Sequence, residues 1–283
     1  MRITRLAIAA FLAVSVGASV ASGGAPMGVP QAFVGPGGWA IGGTYGREQM
    51  DLTASGTIQG LAAPQDFEIE NLQSNMFLAT LAYGLRENWD VYVLAGVANA
   101  ADDIVVLAPP VEGGEVRDSF RGGYGLALGV GTRATFLREG PWSVGGLAQL
   151  SWFRPGDSRF TGPDPYLPDT TWVGNVDLSY WQVQASVAAA YDAGPWRFWA
   201  GPYLRFLQGN MDFDGNVVVT GLVDTTPLTW SSSFDDSFNV GAHFGARWKM
   251  NAEWNLWLEG QITGDSWLVG LGAVFVPERG FDM

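Results

Sequence analysis

Around His243 the chain alternates without interruption. Phe238, Val240, Ala242, Phe244, Ala246 and Trp248 hold one parity, and Asn239, Gly241, His243, Gly245, Arg247 and Lys249 hold the other. A strand sends two such sets to opposite faces, whereas a helix scatters both around its circumference. Trp181, Val183, Ala185, Val187 and Ala189 likewise oppose Tyr180, Gln182, Gln184, Ser186 and Ala188. The pattern predicts ten strands, over 39–53, 67–84, 89–101, 120–138, 142–154, 176–192, 196–211, 236–250, 254–263 and 266–276. Connections after the second, fourth, sixth and eighth are tight. Those after the first, third, fifth and seventh are long, at 54–66, 102–119, 155–175 and 212–235. An up-and-down antiparallel sheet with an even strand number gathers its tight turns at one end and its long loops at the other.

Each tight break leads into a tryptophan. Trp89, Trp142, Trp196 and Trp254 follow "REN", "REGP", "DAGP" and "NAE", and Trp39 follows "GPGG". Each has the parity of its strand's apolar face: Trp142 with Val144, Ala148 and Leu150, Trp254 with Leu256 and Leu258. A second, partial aromatic ring is expected from Tyr45, Trp152, Trp181 and Phe206 near the other strand ends. An indole at a strand's first residue suits a membrane–water boundary, with its ring in oil and its N–H in water.

Composition agrees with an apolar environment outside the sheet. Charged residues are 15% of the chain against a usual ~25%, and glycine is 39 of 283 residues against a usual ~7%. The start, "MRITRLAIAAFLAVSVGASVASG", has the basic, apolar and small-residue order of a secretory signal over 1–22. Its apolar stretch of about 11 residues is short of the ~20 that cross a bilayer as a helix. Losing Arg2 and Arg5 with it takes the formal charge from −13 to −15, which argues against nucleic acid as a partner. There is no cysteine, hence no disulfide framework. The Gly/Pro-rich run 23–38 reads as a periplasmic lead-in or a plug, 39–276 as the barrel and 277–283 as a tail.

Bilayer oil offers no hydrogen-bond partners, so a sheet survives in it only when closed on itself. The expected fold is therefore all-β: a closed up-and-down antiparallel transmembrane β-barrel with short periplasmic turns and long extracellular loops. A soluble barrel with its apolar face inward is the alternative. Its water-facing parity should be rich in Lys, Glu and Thr, but here that parity is mostly Gly, Ala, Ser and Gln. Small residues suit the inside of a narrow barrel.

At this point the chain resembles the small outer-membrane β-barrel proteins of Gram-negative bacteria, over about 39–276. The last strand, "SWLVGLGAVFV", partly resembles their assembly signal through Gly270, Ala273 and Phe275, and departs from it by continuing into "PERGFDM". The resemblance implies the cell outer membrane, outer-membrane lipids as surroundings, and delivery by periplasmic chaperones and the barrel-assembly machinery. Barrels of this size include the omptin surface proteases. The positions two residues either side of His243, the only histidine, are Gly241 and Gly245, not the acids or serine that such chemistry needs. A hydrogen-bonding role in the lumen is the expectation, and no enzyme activity is supported.

Arg121, Arg133, Arg197, Arg205, Arg247 and Lys249 share the lumen parity, as do Glu48, Glu253 and Glu259. Buried charges need partners, so ion pairs are expected between Arg247 or Lys249 and Glu259 or Glu253. A side-chain-filled lumen with loop-mediated surface binding is the leading reading. The alternative is a narrow diffusion pore that favours cations or small solutes, with glycines of the fourth strand leaving a thin channel. A surface hydrolase is the third. "DFDGN" at 212–216 begins like a calcium loop but lacks the later ligands, so an Asp-Gly turn is expected. No cofactor or metal motif is present.

Overall fold

The computed structural model describes residues 25–58, 65–107, 115–163, 169–219, 225–264 and 266–277. The leader at 1–22 and the tail beyond 277 lie outside them. So do the acidic side chains of 102–118. Thirteen strands form one sheet: β1 (Trp39–Ile58), β2 (Gln65–Arg86), β3 (Trp89–Ala98), β4 (Ala101–Leu107), β5 (Glu115–Arg121), β6 (Gly125–Glu139), β7 (Trp142–Arg154), β8 (Ser158–Pro163), β9 (Thr170–Ala193), β10 (Trp196–Val219), β11 (Thr225–Lys249), β12 (Trp254–Ile262) and β13 (Ser266–Phe275).

Ten of them close a ring of antiparallel pairs, in the order β1-β2-β3-β6-β7-β9-β10-β11-β12-β13 and back to β1. These are the ten strands the alternation predicts. The tight turns take the form the sequence demands. Glu139 pairs with Trp142 and Ala193 with Trp196 around two-residue Gly-Pro loops. Gly140 and Gly194, at φ 57° and 65°, hold the first central position, which a II′ hairpin reserves for positive φ. Before Trp254, the Asn251 carboxamide oxygen accepts from the Glu253 and Trp254 backbone N–H groups at 2.9 and 2.7 Å.

The described residues of the long connections are largely strand. Residues 102–119 and 155–175 contain the β4–β5 hairpin, which extends the upper part of β2, and β8, which lies on the upper part of β9. The fourth ring strand starts at Gly125, not at 120, because Gly122-Gly123-Tyr124 break the ladder. Residues 212–216 stay in β10, paired on both sides with β9 and β11, so the Asp-Gly turn expected there does not form. Asp212 points outward and accepts from the Ser231 hydroxyl at 2.6 Å. Above the short β12–β13 hairpin, β11 meets β1 directly, from Ala54 opposite Phe234 to Ile58 opposite Trp230.

On β9 and β10 the chemistry changes halfway without a change of parity, whereas bulges on β2 and β11 shift the parity of those strands. On β10 the outward residues are Trp196, Phe198, Leu204 and Phe206, and then Gln208, Asn210, Asp212 and Asp214. The inward residues are Arg197, Tyr203 and Arg205, and then Leu207, Met211 and Phe213. β9 switches likewise, outward from Trp181 to Ser179 and Asp177, inward from Gln184 and Gln182 to Leu178 and Val176. Below the switch the ring is greasy outside and polar inside; above it the two are exchanged. At ~3.3 Å per residue and a ~35–45° tilt, the eleven positions 196–206 rise about 25 Å, the height of a membrane barrel's apolar band.

Aromatic rings mark both edges of this belt. At the tight-turn edge Trp39 packs on Tyr83, Trp142 on Tyr191, Trp196 on Trp248 and Trp254 on Phe275, with centroids 4.7, 4.8, 5.8 and 5.3 Å apart. Trp89 donates its indole N–H to the Thr132 hydroxyl. At the other edge Tyr45 packs on Phe77, Phe77 on Tyr124 and Trp181 on Phe206. Arginine at Val187, mid-belt on β9, is expected to cost about 2–4 kcal/mol of unfolding free energy, and at Ser179, one residue pair above Trp181 on the same face, about 0–1. Urea unfolding of the protein refolded into vesicles measures both. Equal costs would contradict the belt.

Candidate functional site: the occupied lumen

Residues 25–38 run through the ring, and the polar inward face is built around them. Nearest the tight-turn edge, Gly37 and Gly84 bond through their backbones. The backbone N–H groups of Phe33 and Val34 donate to Asp90 Oδ2 at 2.9 and 3.3 Å. Arg133 approaches the same oxygen at 3.3 Å, and its guanidinium lies over the Phe33 and Tyr92 rings, 4.0 and 4.8 Å from their centroids. Ala32 N–H donates to Thr135, and Gln31 donates to the Ala188 carbonyl.

Deeper in, Glu259 accepts from the backbone N–H groups of Met27 at 2.8 Å and Gly28 at 2.6 Å. Gly28 has φ 76°, a conformation that turns both donors toward one carboxylate and that L side chains avoid. The Ala25 carbonyl accepts from Gln184 and Gln261. These two carboxamides belong to a network with Gln149, Tyr92 and Tyr203. Glycines on the wall supply the space: a side chain at Gly46 would strike Pro26, and one at Gly145 would strike Pro30 and Gln31.

His243 is fully enclosed beside Glu259. Its Nδ1 is 3.1 Å from the Ser186 hydroxyl, and its Nε2 is 3.2 Å from Glu259 Oε2 and 3.3 Å from the Trp199 indole N–H. A donating Nε2 serves Glu259, and an accepting one serves Trp199. Further up, Arg205 pairs with Glu48 at 3.3 Å, both fully buried, and donates to the Met50 sulfur. Above that layer the interior is apolar. Phe153 stacks on Tyr180, and Phe213 packs against Phe160 and Trp172.

Of the charges predicted to face the lumen, Glu48 and Arg205 meet each other, and His243 meets Glu259. Arg133 and Arg197 find Asp90 and Asp192 instead, the latter through a bidentate pair whose Nη2–Oδ2 distance is 2.6 Å. Asp90 was legible as the residue after the lipid-facing Trp89, and so of opposite parity. Arg121 is not in the lumen. It ends β5, is exposed, and uses its backbone N–H on Ser158. The expected pairing of Arg247 or Lys249 with Glu259 or Glu253 does not form. The β11–β12 register sets Arg247 opposite Trp257 and Lys249 opposite Asn255. That leaves Glu259 diagonal to His243, where it holds the Met27–Gly28 backbone, and leaves Glu253 in the turn. On β6 the Tyr92 ring covers Gly131 and Leu94 covers Gly129.

A closed antiparallel ring with an apolar belt, two aromatic edges and a polar interior defines a transmembrane β-barrel of the kind that spans the outer membrane of Gram-negative bacteria. Among solved structures the chain is similar to the outer membrane protease OmpT from Escherichia coli, at 10% identity and a TM-score of 0.49 over 86% of this chain and 97% of that one. It is similar also to the outer membrane protein OprG from Pseudomonas aeruginosa, at 10% identity and 0.45 over 87% and 98%. The translocator domain of the autotransporter NalP from Neisseria meningitidis matches at 10% identity and 0.42 over 97% and 94%. Similarity at this level concerns the fold alone. No family model matches the chain, and no curated protein matches it.

Proposed function

We propose that the protein is a closed barrel whose work is done at its surface, with residues 25–34 as a built-in plug and the tall extramembrane tier as the part offered to the surroundings. The observation that carries this is a double closure. The plug is held by Asp90, Glu259, Gln184 and Gln261 within the membrane. Above it, the same strands turn Met50, Leu207, Met211, Phe213, Trp230 and Phe234 inward as an apolar core. The outward face of that tier carries Asn, Gln, Ser and Asp, as on β10 from Gln208 to Asp214. Cleavage of the leader 1–22 belongs to the same reading.

The row Ser186–His243–Glu259 has the atom types of a nucleophile, a base and an orienting acid. All three side chains are enclosed, and Glu259 already binds two backbone N–H groups and Gln261. The row orients the plug in this proposal. A diffusion pore is disfavoured by the double closure. Planar-bilayer recording separates the readings: the purified barrel is expected to be silent, and to stay silent when residues 25–34 are deleted, because the apolar tier still closes the axis. Discrete openings in the intact protein would overturn the proposal.

A further inference from the structure

At the periplasmic mouth of the ring a recess of about 200 Å³ is lined by Arg138, Arg197, Arg247, Lys249 and Asn255, with Phe33 of the plug among its walls. Four cations therefore gather at one opening in a chain whose formal charge is −13. Asp192 is the one carboxylate paired there, and both its oxygens are taken by Arg197. Arg138, Arg247 and Lys249 have no carboxylate within ion-pair distance among the described residues. The Arg247 Nε is buried without a hydrogen-bond partner.

Four cations gathered around one carboxylate repel one another, and a half-buried guanidinium without a partner is costly. Such an arrangement is stable when an anion completes it, and the rigid N–H forks of arginine match the oxygens of phosphate. We infer that this recess is a phosphate-binding site open to the periplasm, taking inorganic phosphate or the phosphate group of a small phosphomonoester. Arg197, Arg247 and Lys249 lie on the inner face of their strands, so the wall separates them from the bilayer and the ligand is soluble. Arg138 joins them through a bulge. The extra residue between Thr135 and Leu137 shifts the β6 register, and turns inward a position that by count belongs to the lipid face.

The test is calorimetric titration of the full barrel, in zwitterionic detergent at low ionic strength, with inorganic phosphate and with glycerol phosphate. Saturable binding is expected, weakened at least tenfold by Arg247→Gln and by Arg138→Gln. Arg154→Gln, an exposed arginine at the far end of β7, should leave it unchanged. Heat-modifiable gel mobility establishes that each variant is folded. Absence of saturable binding overturns the site, as does equal binding by the Arg247 variant. Val276 also lines the recess, and residues 277–283 follow it. If phosphate binds only to a chain ending at Pro277, the recess is the seat of the protein's own tail and the proposal fails. It fails likewise if binding requires phosphatidylglycerol nanodiscs and soluble phosphate gives none.

Discussion

Replacing Phe213 by alanine is expected to lower the unfolding free energy by about 3–5 kcal/mol, the usual cost of emptying a large buried aromatic site. Phe213 stands above the belt, opposite Val176 on β9 and Trp230 on β11. It is 3% exposed, edge-on to Phe160 at 5.8 Å and tilted against Trp172 at 6.2 Å. Asp212, its outward neighbour, provides the control, and Asp212→Ala is expected to stay within about 0.5 kcal/mol. Urea unfolding in vesicles measures both, and limited proteolysis reports whether the upper tier has loosened while the belt remains protected. The contrast decides between a packed extramembrane core and a set of surface loops. If Phe213→Ala matched Asp212→Ala, the upper tier would be no core, and the closure argued for the barrel would rest on the plug alone.

The second large effect concerns the plug's anchor. Asp90→Ala removes the acceptor of two backbone N–H groups and the counter-charge of Arg133, whose side chain is 6% exposed. Deleting one partner of a buried pair leaves the other charge uncompensated, at about 3–5 kcal/mol. The plug should loosen as well as the barrel weaken. Because the chain has no cysteine, Ala32→Cys gives a unique thiol on the buried plug. A membrane-impermeant thiol reagent supplied from the periplasmic side is expected to label it quickly when Asp90 is alanine and slowly when Asp90 is present. Asp90→Asn keeps an acceptor but not the charge, and should fall between. Unchanged labelling in the alanine variant would mean that Glu259 and the glutamines hold the segment without Asp90.

Much of the architecture was legible before any contact was known. The alternation on β11 and β12, together with the breaks ahead of Trp142 and Trp196, is enough to count the ring strands and to say which face meets lipid. The level at which the membrane ends was also written in the chain. After Phe206 the outward residues of β10 become Gln208, Asn210 and Asp212, while Leu207 and Met211 take the inward places. The outward apolar parity that marks the strands stops where the oil stops, so by that pattern alone 212–235 looks like loop although it is strand over 212–219 and 225–235. Arg121 lies outside the lumen for a related reason. Its parity fits the strand that follows, but Gly122 and Gly123 separate the two.

The candidate site was much less legible. The parity of His243 and Glu259 points both inward, yet nothing near either in sequence says that they meet, or that the Met27–Gly28 backbone occupies the carboxylate. Arg138 has the wrong parity until the bulge at Thr135–Leu137 corrects it. Asp192 and Arg197 sit across a turn short enough to pair them, but the turn had to be closed before the pairing could be counted.

The sequence alone determined the two-faced strand, the number of strands in the ring and the depth of each in the membrane. These follow from the pleat and from where each side chain is soluble, properties local to a few residues. Tertiary structure alone decided which charges pair, that a glycine- and proline-rich lead-in fills the axis, and that four cations share one mouth. Those outcomes depend on register and on a segment that contacts β3, β6, β9 and β12 at once, distances that no run of neighbouring residues encodes.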